Sequence, residues 1–328
     1  MSSIKDGWQL IKYSTRLFLR YPVMAVPLLF TWVLYAPTIL YFKYKFNWDP
    51  LTLEQTLGVV FGMIFFFAML LAFAASMLLE MIQQVEAGRE PAFFDSFGES
   101  LGANLLKMLP IVVVWTVIWF VLTVITALLT RKKRGSSSSS REDGLSAENA
   151  ARTLAGDTRF SLSAAFFRAL NKGVRMAVFL ILPAIAWQNM GPWGAFKRGM
   201  RILRMNIGTF MAGFAMSEIA AMIVFIPPAI VLYVSSEGKV KFPDWVWFTT
   251  MAYMALAWSY SIYLEQMFTA MLYLWHLKWE KAIGEAQAAG RPIPRLTDVK
   301  QPCLLDGVND LARLEAPACA PDRPAQGD

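Results

Sequence analysis

Histidine is almost missing from this chain: His276 is the single example in 328 residues. Cysteine is nearly as scarce, with Cys303 and Cys319 both near the carboxyl end and no histidine or further cysteine grouped with them. A structural zinc site takes a tetrahedral set of Cys and His ligands, and a small disulfide-stapled scaffold takes evenly placed cysteine pairs, so neither is expected. Walker, Rossmann and H-E-x-x-H patterns are also lacking, which leaves no nucleotide, dinucleotide or zinc-protease motif. No cofactor and no metal is therefore expected. Charge is thin as well: 17% of the residues are Asp, Glu, Lys or Arg, against about 25% in soluble domains.

What fills the chain is apolar: 56% of the residues, where globular proteins hold roughly 45–50%. A soluble fold of this size has no interior large enough for that excess, so part of it faces lipid. Crossing a bilayer takes about 20 apolar residues in a helix. Residues 21–42, 57–82, 108–130, 206–234 and 245–276 meet that length, and 174–188 does so with help from 160–170 before it. Unbroken runs without alternation point to helices rather than a barrel. The expected fold is all-α, a polytopic membrane helical bundle of about six transmembrane helices. Pro183, Pro227 and Pro228 fall inside spans and predict kinks. Tyr21, Tyr41, Trp48, Trp187, Trp193, Trp245, Trp275 and Trp279 stand near span ends, as an interfacial belt would place them.

Between the apolar runs lie helix-length stretches of mixed character. Trp8-x-x-Ile11-Lys12-x-x-x-Arg16-Leu17 and Trp193-x-x-Phe196-Lys197-x-x-x-Arg201-Ile202 carry the same residue types at the same spacing. In the first, Trp8, Ile11 and Phe18 share a face while Lys12, Arg16 and Arg20 line another. In the second, Trp193, Phe196, Met200 and Leu203 form the apolar face, with Lys197, Arg201 and Arg204 opposite. Residues 92–106 give a weaker third copy, with Phe94 and Phe97 at the anchor positions and Gly98 in place of the lysine. Such helices lie along the headgroup layer with their cations toward lipid phosphate. The expected organisation is three units of interfacial helix plus hairpin. They run over residues 1–82, 83–190 (with a flexible polar loop at 131–160) and 191–290, and a disordered polar tail follows at 291–328.

If the interfacial helices share the cytoplasmic side, that side holds seventeen Lys/Arg against four on the short opposite loops, as the positive-inside rule requires. Residues 131–175 run against it, placing ten Lys/Arg outside. Both termini are then cytoplasmic. The net charge of +7 sits beside spans, so its expected partner is the phospholipid membrane with its anionic headgroups, and no nucleic acid. Leu304, Leu305, Val308, Leu311 and Leu314 fall at helical spacing in the tail, where a cytosolic or membrane protein partner could dock.

Several short motifs, taken in order, resemble a known group. These are Gly7-Trp8-x-x-x-Lys12-x-Ser14 with Pro27-Leu28-Leu29, and Gly88-Arg89-Glu90-Pro91 leading to Trp115. Leu182-Pro183-Ala184 follows, then Gly191-Pro192-x-x-Ala195-x-Lys197-Arg198, and finally Ala270-Met271-Leu272-Tyr273. Over residues 4–280 the chain resembles an uncharacterised family of bacterial multi-pass membrane proteins classed as a domain of unknown function. More distantly it looks like the membrane domains joined to glycerophosphodiester phosphodiesterases. The resemblance implies about six helices, a bacterial inner membrane and no catalytic residues.

The chemistry-bearing candidates are few. Gly98-Glu99-Ser100-Leu101-Gly102 satisfies G-x-S-x-G, but a nucleophile elbow needs a strand before it and a histidine partner, so no esterase is expected. Glu80, Glu218 and Glu265 are the only acids inside the five long runs. A carboxylate at mid-bilayer costs about 2.5–3.5 kcal/mol or more, so each should face the bundle and find a partner. At about 1.5 Å per residue, Glu218, Glu265 and Arg175 lie at similar depths of roughly 16–21 Å from their span ends. An intramembrane charged cluster of Arg175, Glu218 and Glu265, with Glu80, follows. Its readings are a pin between helices, a proton- or cation-coupled pathway, or a headgroup site. For the whole protein the leading expectation is a non-enzymatic scaffold or accessory subunit gripping anionic lipid. A small-solute or ion transporter and an intramembrane lipid-modifying enzyme are the alternatives.

Overall fold

The computed structural model describes residues 2–134, 162–236, 242–300 and 302. Most of the expected loop at 131–160, the 304–314 segment and both cysteines lie outside the described residues. Among the described residues every regular element is helical: α1 (Ser2–Arg20), α2 (Val26–Tyr44), α3 (Leu53–Glu86), α4 (Phe93–Glu99), α5 (Leu105–Arg134), α6 (Leu162–Ala186), α7 (Pro192–Met205), α8 (Ile207–Ser236) and α9 (Asp244–Ala288). Five helical segments are long and apolar enough to cross a membrane: Pro22–Tyr44, Leu53–Glu86, Phe93–Leu128, Ala169–Ala186 and Ile207–Ser235. The chain is a multi-pass membrane helical bundle.

The sixth expected span, 245–276, is one unbroken helix within α9 but does not belong to that apolar set. Its sequence mixes Trp, Tyr, Ser and Thr among the aliphatic residues. Protein takes the place of lipid around its second half, where every residue from 261 to 277 is buried. A helix buried all round needs neighbours on every side, and α9 has them in α1, α2, α6 and α8.

The element order runs amphipathic helix, outer helix, inner helix, three times over. The amphipathic pieces do not rest on their own hairpins. α4 packs on α3 of the hairpin before it, α7 packs on α5 and α6 before it, and α1 packs on α8 and α9 at the far end of the chain. The hairpins close in the same cyclic sense, α5 against α3, α6 against both α3 and α9, and α9 against α2. The first and last units are thereby locked together, through Thr15 Oγ1 and Tyr260 OH at 2.8 Å and through Phe18 edge-on to Tyr260 and Tyr263.

Where the inner helices α3 and α9 end, the chain reverses sharply. Gly88 has φ +75° and Gly290 φ +64°, with Arg89 N–H bonding Gln84 O and Arg291 N–H bonding Ala286 O, both at 2.8 Å. These are the six-to-one bonds that satisfy orphan carbonyls at a left-handed helix end. Prolines 37, 110, 183, 227 and 228 all lie within helices that continue through them.

Three expectations change here. The third amphipathic stretch, 92–106, is not a separate interfacial helix: α4 runs through a π-helical segment, Ser100–Asn104, directly into α5. The extra residue shifts the register, so that Asn104 turns inward rather than Ala103. The tail is ordered further than expected: residues 291–300 fold back along α9, held by Trp275 Nε1 on Val299 O and Trp279 Nε1 on Pro294 O. Two indoles expected in the interfacial belt, Trp187 and Trp275, are buried, because each spends its N–H on a carbonyl inside the protein, Leu79 O for Trp187.

The tightest helix contact is between α8 and α9. A Cβ built on Gly213 would stand 1.9 Å from Cζ of Phe268, and Gly213 and Ser217 are both buried at this seam. Overpacking a core of this kind costs about 1–3 kcal/mol. Gly213→Ala should therefore lower the thermal midpoint of the detergent-solubilised protein, and the double variant Gly213→Ala with Phe268→Leu should recover part of the loss.

Candidate functional site

Two groups of charged side chains stand out: one enclosed by the bundle, one displayed on the amphipathic helices. The enclosed group is built by α6, α8 and α9. Arg175 of α6 meets Glu265 of α9 with two parallel bonds, Nε to Oε2 and Nη2 to Oε1, both 2.8 Å. This fork-on-carboxylate geometry is the strong form of the pair. Lys172, one turn earlier on α6, donates to Glu218 of α8 and stands 3.5 Å from Glu265 Oε1. The Glu265 side chain is 1% exposed and that of Glu218 is 44% exposed. Lys172 also lies over the Phe214 ring at 5.1 Å, so the cation is held from three sides.

The structure thus brings together Arg175, Glu218 and Glu265 of the expected cluster, and adds Lys172. The lysine was legible in principle: residues 174–188 are too short to span alone, and extending them backward takes Lys172 into the helix. Ser261 and Thr269, one turn to each side of Glu265, are buried with it. Glu80 does not join this network. It accepts from Asn104 Nδ2 at 2.9 Å, and the same amide reaches Ser76 Oγ at 3.3 Å. The register shift of the π segment turns Asn104 toward α3, giving Glu80 a neutral partner.

A second polar network lies toward the other end of α9. Arg198 of α7 donates through Nε to Tyr273 OH at 3.1 Å and through Nη2 to Glu280. Tyr273 in turn donates to Gln188. His276 Nε2 is 3.3 Å from Glu280 Oε1, and its Nδ1 is 3.4 Å from Asn206 Nδ2. The hydrogen bond from His276, and after it the Arg198 charge, hold the Glu280 carboxyl below the usual carboxylate range against partial burial. Burial works against the Arg198 charge, but Tyr273 and Glu280 beside it outweigh that and raise its pKa. Sequence reasoning met Arg198 only as the end of one motif and gave it no role; it sits between Ala195 and Ile202 on the packed side of α7.

Lys12, Arg16, Arg20, Lys197, Arg201 and Arg204 are all exposed. On α7 the face packed on the bundle is a third one, bearing neither these cations nor Trp193. On α7 the buried residues are Ala195, Gly199 and Ile202, with Ile181 of α6 so near Gly199 that a Cβ there would meet it at 2.6 Å. Trp193 stays 67% exposed and stacks on Phe196. The aromatic face is therefore displayed beside the cations, not opposite them, and small residues make the protein contact.

Ser100 of the G-x-S-x-G pattern is buried in the π segment, and His276 is engaged by Asn206 and Glu280. Among the described residues no three His, Cys, Asp or Glu side chains converge as a metal site would require. No family model matches the chain, and no curated protein or solved structure matches it.

Two measurements probe these networks. Breaking a buried pair by removing one partner costs about 3–5 kcal/mol, since the other charge is left behind. Glu265→Gln should therefore destabilise the solubilised protein far more than Glu218→Gln. Because Lys172 reaches both acids, the loss in the double variant should differ from the sum of the single losses; strict additivity would exclude a shared network. The depressed Glu280 carboxyl contributes stability that is present above the ordinary glutamate pKa of about 4.3 and is lost as pH falls through its lower folded value. Glu280→Gln should flatten the acid limb of a melting-temperature profile while leaving the neutral region less affected than Arg198→Gln does.

Proposed function

We propose that this protein is a non-enzymatic membrane scaffold or accessory subunit whose basic amphipathic helices grip anionic lipid. The proposed setting is a bacterial inner membrane with both termini on the cytoplasmic side. The observation that carries the reading is the display of α1 and α7: six cations exposed on two helices whose opposite surfaces are packed onto the bundle. Cations that serve a fold are spent on acids inside it, as Lys172, Arg175 and Arg198 are. Those on α1 and α7 are offered outward beside exposed aromatic rings, the arrangement of a helix at the headgroup boundary.

The enclosed ion pairs fit a structural role in this reading. Arg175 and Glu265 join α6 to α9, and Lys172 ties in α8, so three long helices are pinned at one level. The family resemblance brings no catalytic set to the chain. A transport role would use the same charged side chains as a pathway, and flux in proteoliposomes that vanished in Glu218→Gln would favour it over the scaffold.

Juxtamembrane cations contribute about 1 kcal/mol each near an anionic surface. In nanodiscs the protein should melt at higher temperature in phosphatidylglycerol mixtures than in pure phosphatidylcholine. Replacing Lys12, Arg16, Arg20, Lys197, Arg201 and Arg204 by Gln should remove most of that difference; an unchanged difference would refute the reading.

A further inference from the structure

We infer that the chain carries two equivalent sites for the phosphate of an anionic lipid, one built by Trp8, Lys12 and Arg16 and the other by Trp193, Lys197 and Arg201. This inference rests on the lipid-gripping reading and adds to it a number, a location and a geometry.

The equivalence is structural as well as sequential. Counting from each tryptophan, the same helical positions are turned into the protein: Ser14 and Leu17 on α1, Gly199 and Ile202 on α7. With the packed face in the same register, the remaining faces present their side chains alike. Trp8 is 43% exposed and Trp193 67%. In both, the lysine one turn later is folded over the indole, Lys12 Nζ at 5.7 Å from the Trp8 centroid and Lys197 Nζ at 5.2 Å from that of Trp193. A cation over an indole face is held electrostatically, while its N–H groups stay free to donate outward. Arg16 and Arg201 follow one further turn along, and side chains four apart on a helix lie about 5–6 Å from each other. A lysine and an arginine at that spacing can bracket one phosphate, with the indole marking the level where headgroup gives way to acyl chain. Among the described side chains none of these four cations has a carboxylate partner.

The third copy supplies an internal contrast. Phe94 keeps the exposed aromatic, at 84%, but Gly98 and Gly102 stand where the lysine and arginine would be. It holds an aromatic anchor and no cations, so the expected number of sites is two and not three.

The test is native mass spectrometry of the full-length protein in detergent, titrated with phosphatidylglycerol. Two lipids should bind in preference to any further ones. Lys12→Gln with Arg16→Gln should leave one, Lys197→Gln with Arg201→Gln should leave one, and the four together should leave none. Lys12→Arg and Lys197→Arg should retain both, which separates loss of charge from loss of fold. Lys43→Gln with Lys45→Gln, at the carboxyl end of α2, should also retain both. Excess inorganic phosphate should not displace the lipid. Three preferred lipids, loss of both from a change on one helix, no loss from either, loss of lipid in the arginine or Lys43/Lys45 variants, or displacement by free phosphate would each overturn the twin sites. If the nanodisc stabilisation by phosphatidylglycerol persists while discrete binding is missing, only the twin sites fall; if that stabilisation is itself missing, both readings fall.

Discussion

A carboxylate buried on a central helix needs a partner at contact distance, and Glu265 has Arg175. Two parallel bonds of 2.8 Å fix the rotation of α6 about its axis, since a guanidinium fork meets a carboxylate edge-on or not at all. That rotation places Lys172, one turn away, against Glu218 and so sets α8. Three of the long helices are thus held at one level by two acids and two bases, and at Glu265 a mismatch would leave a buried charge. The apolar contacts around them are permissive by comparison, because aliphatic side chains tolerate many rotations and a carboxylate tolerates few.

The second constraint is cyclic closure. Each amphipathic piece packs on the hairpin before it, and α1, with no hairpin before it, packs on the last one. An inner helix such as α9 is covered only when the ring is complete: its segment 261–277 takes cover from α1 and α2 at the start of the chain as well as from α6 and α8. This explains how a helix with so many Tyr, Ser and Thr residues fits a membrane protein. Several of its hydroxyls meet protein groups, as Tyr263 OH meets Ser14 O at 3.2 Å and Thr269 Oγ1 meets Gln266 O at 2.9 Å. The ordered stretch after α9 belongs to the same logic, since Trp275 and Trp279 find their acceptors in the returning strand of chain.

The amphipathic helices divide their surfaces three ways. On α7 small and aliphatic side chains face the protein, Trp193 and Phe196 lie exposed beside them, and cations complete the circle, while on α1 Phe18 joins the packed face. Close approach to the bundle needs the small face: with Ile181 against Gly199, a larger residue there would lift α7 away. Arg198 shows how finely the division runs, since its neighbour Lys197 is displayed while Arg198 itself turns in to Tyr273 and Glu280.

Composition and run length alone determined the class of fold and most of the apolar helices, because hydrocarbon imposes length rules that any single stretch must obey; of the acids they marked, Glu265 is buried but Glu218 stays 44% exposed, and the buried Glu86 was passed over. Spacing alone gave the two basic helices and the displayed positions of Lys12, Arg16, Arg20, Lys197, Arg201 and Arg204. Which partner each buried group takes was left to the tertiary structure. Glu80 meets Asn104 because a π segment adds one residue to a turn, Lys172 joins Glu218 because α6 begins before its apolar run, and Trp187 finds Leu79 across the bundle. A partner is a matter of two helices' relative rotation, and one helix's sequence carries no record of how its neighbour is turned.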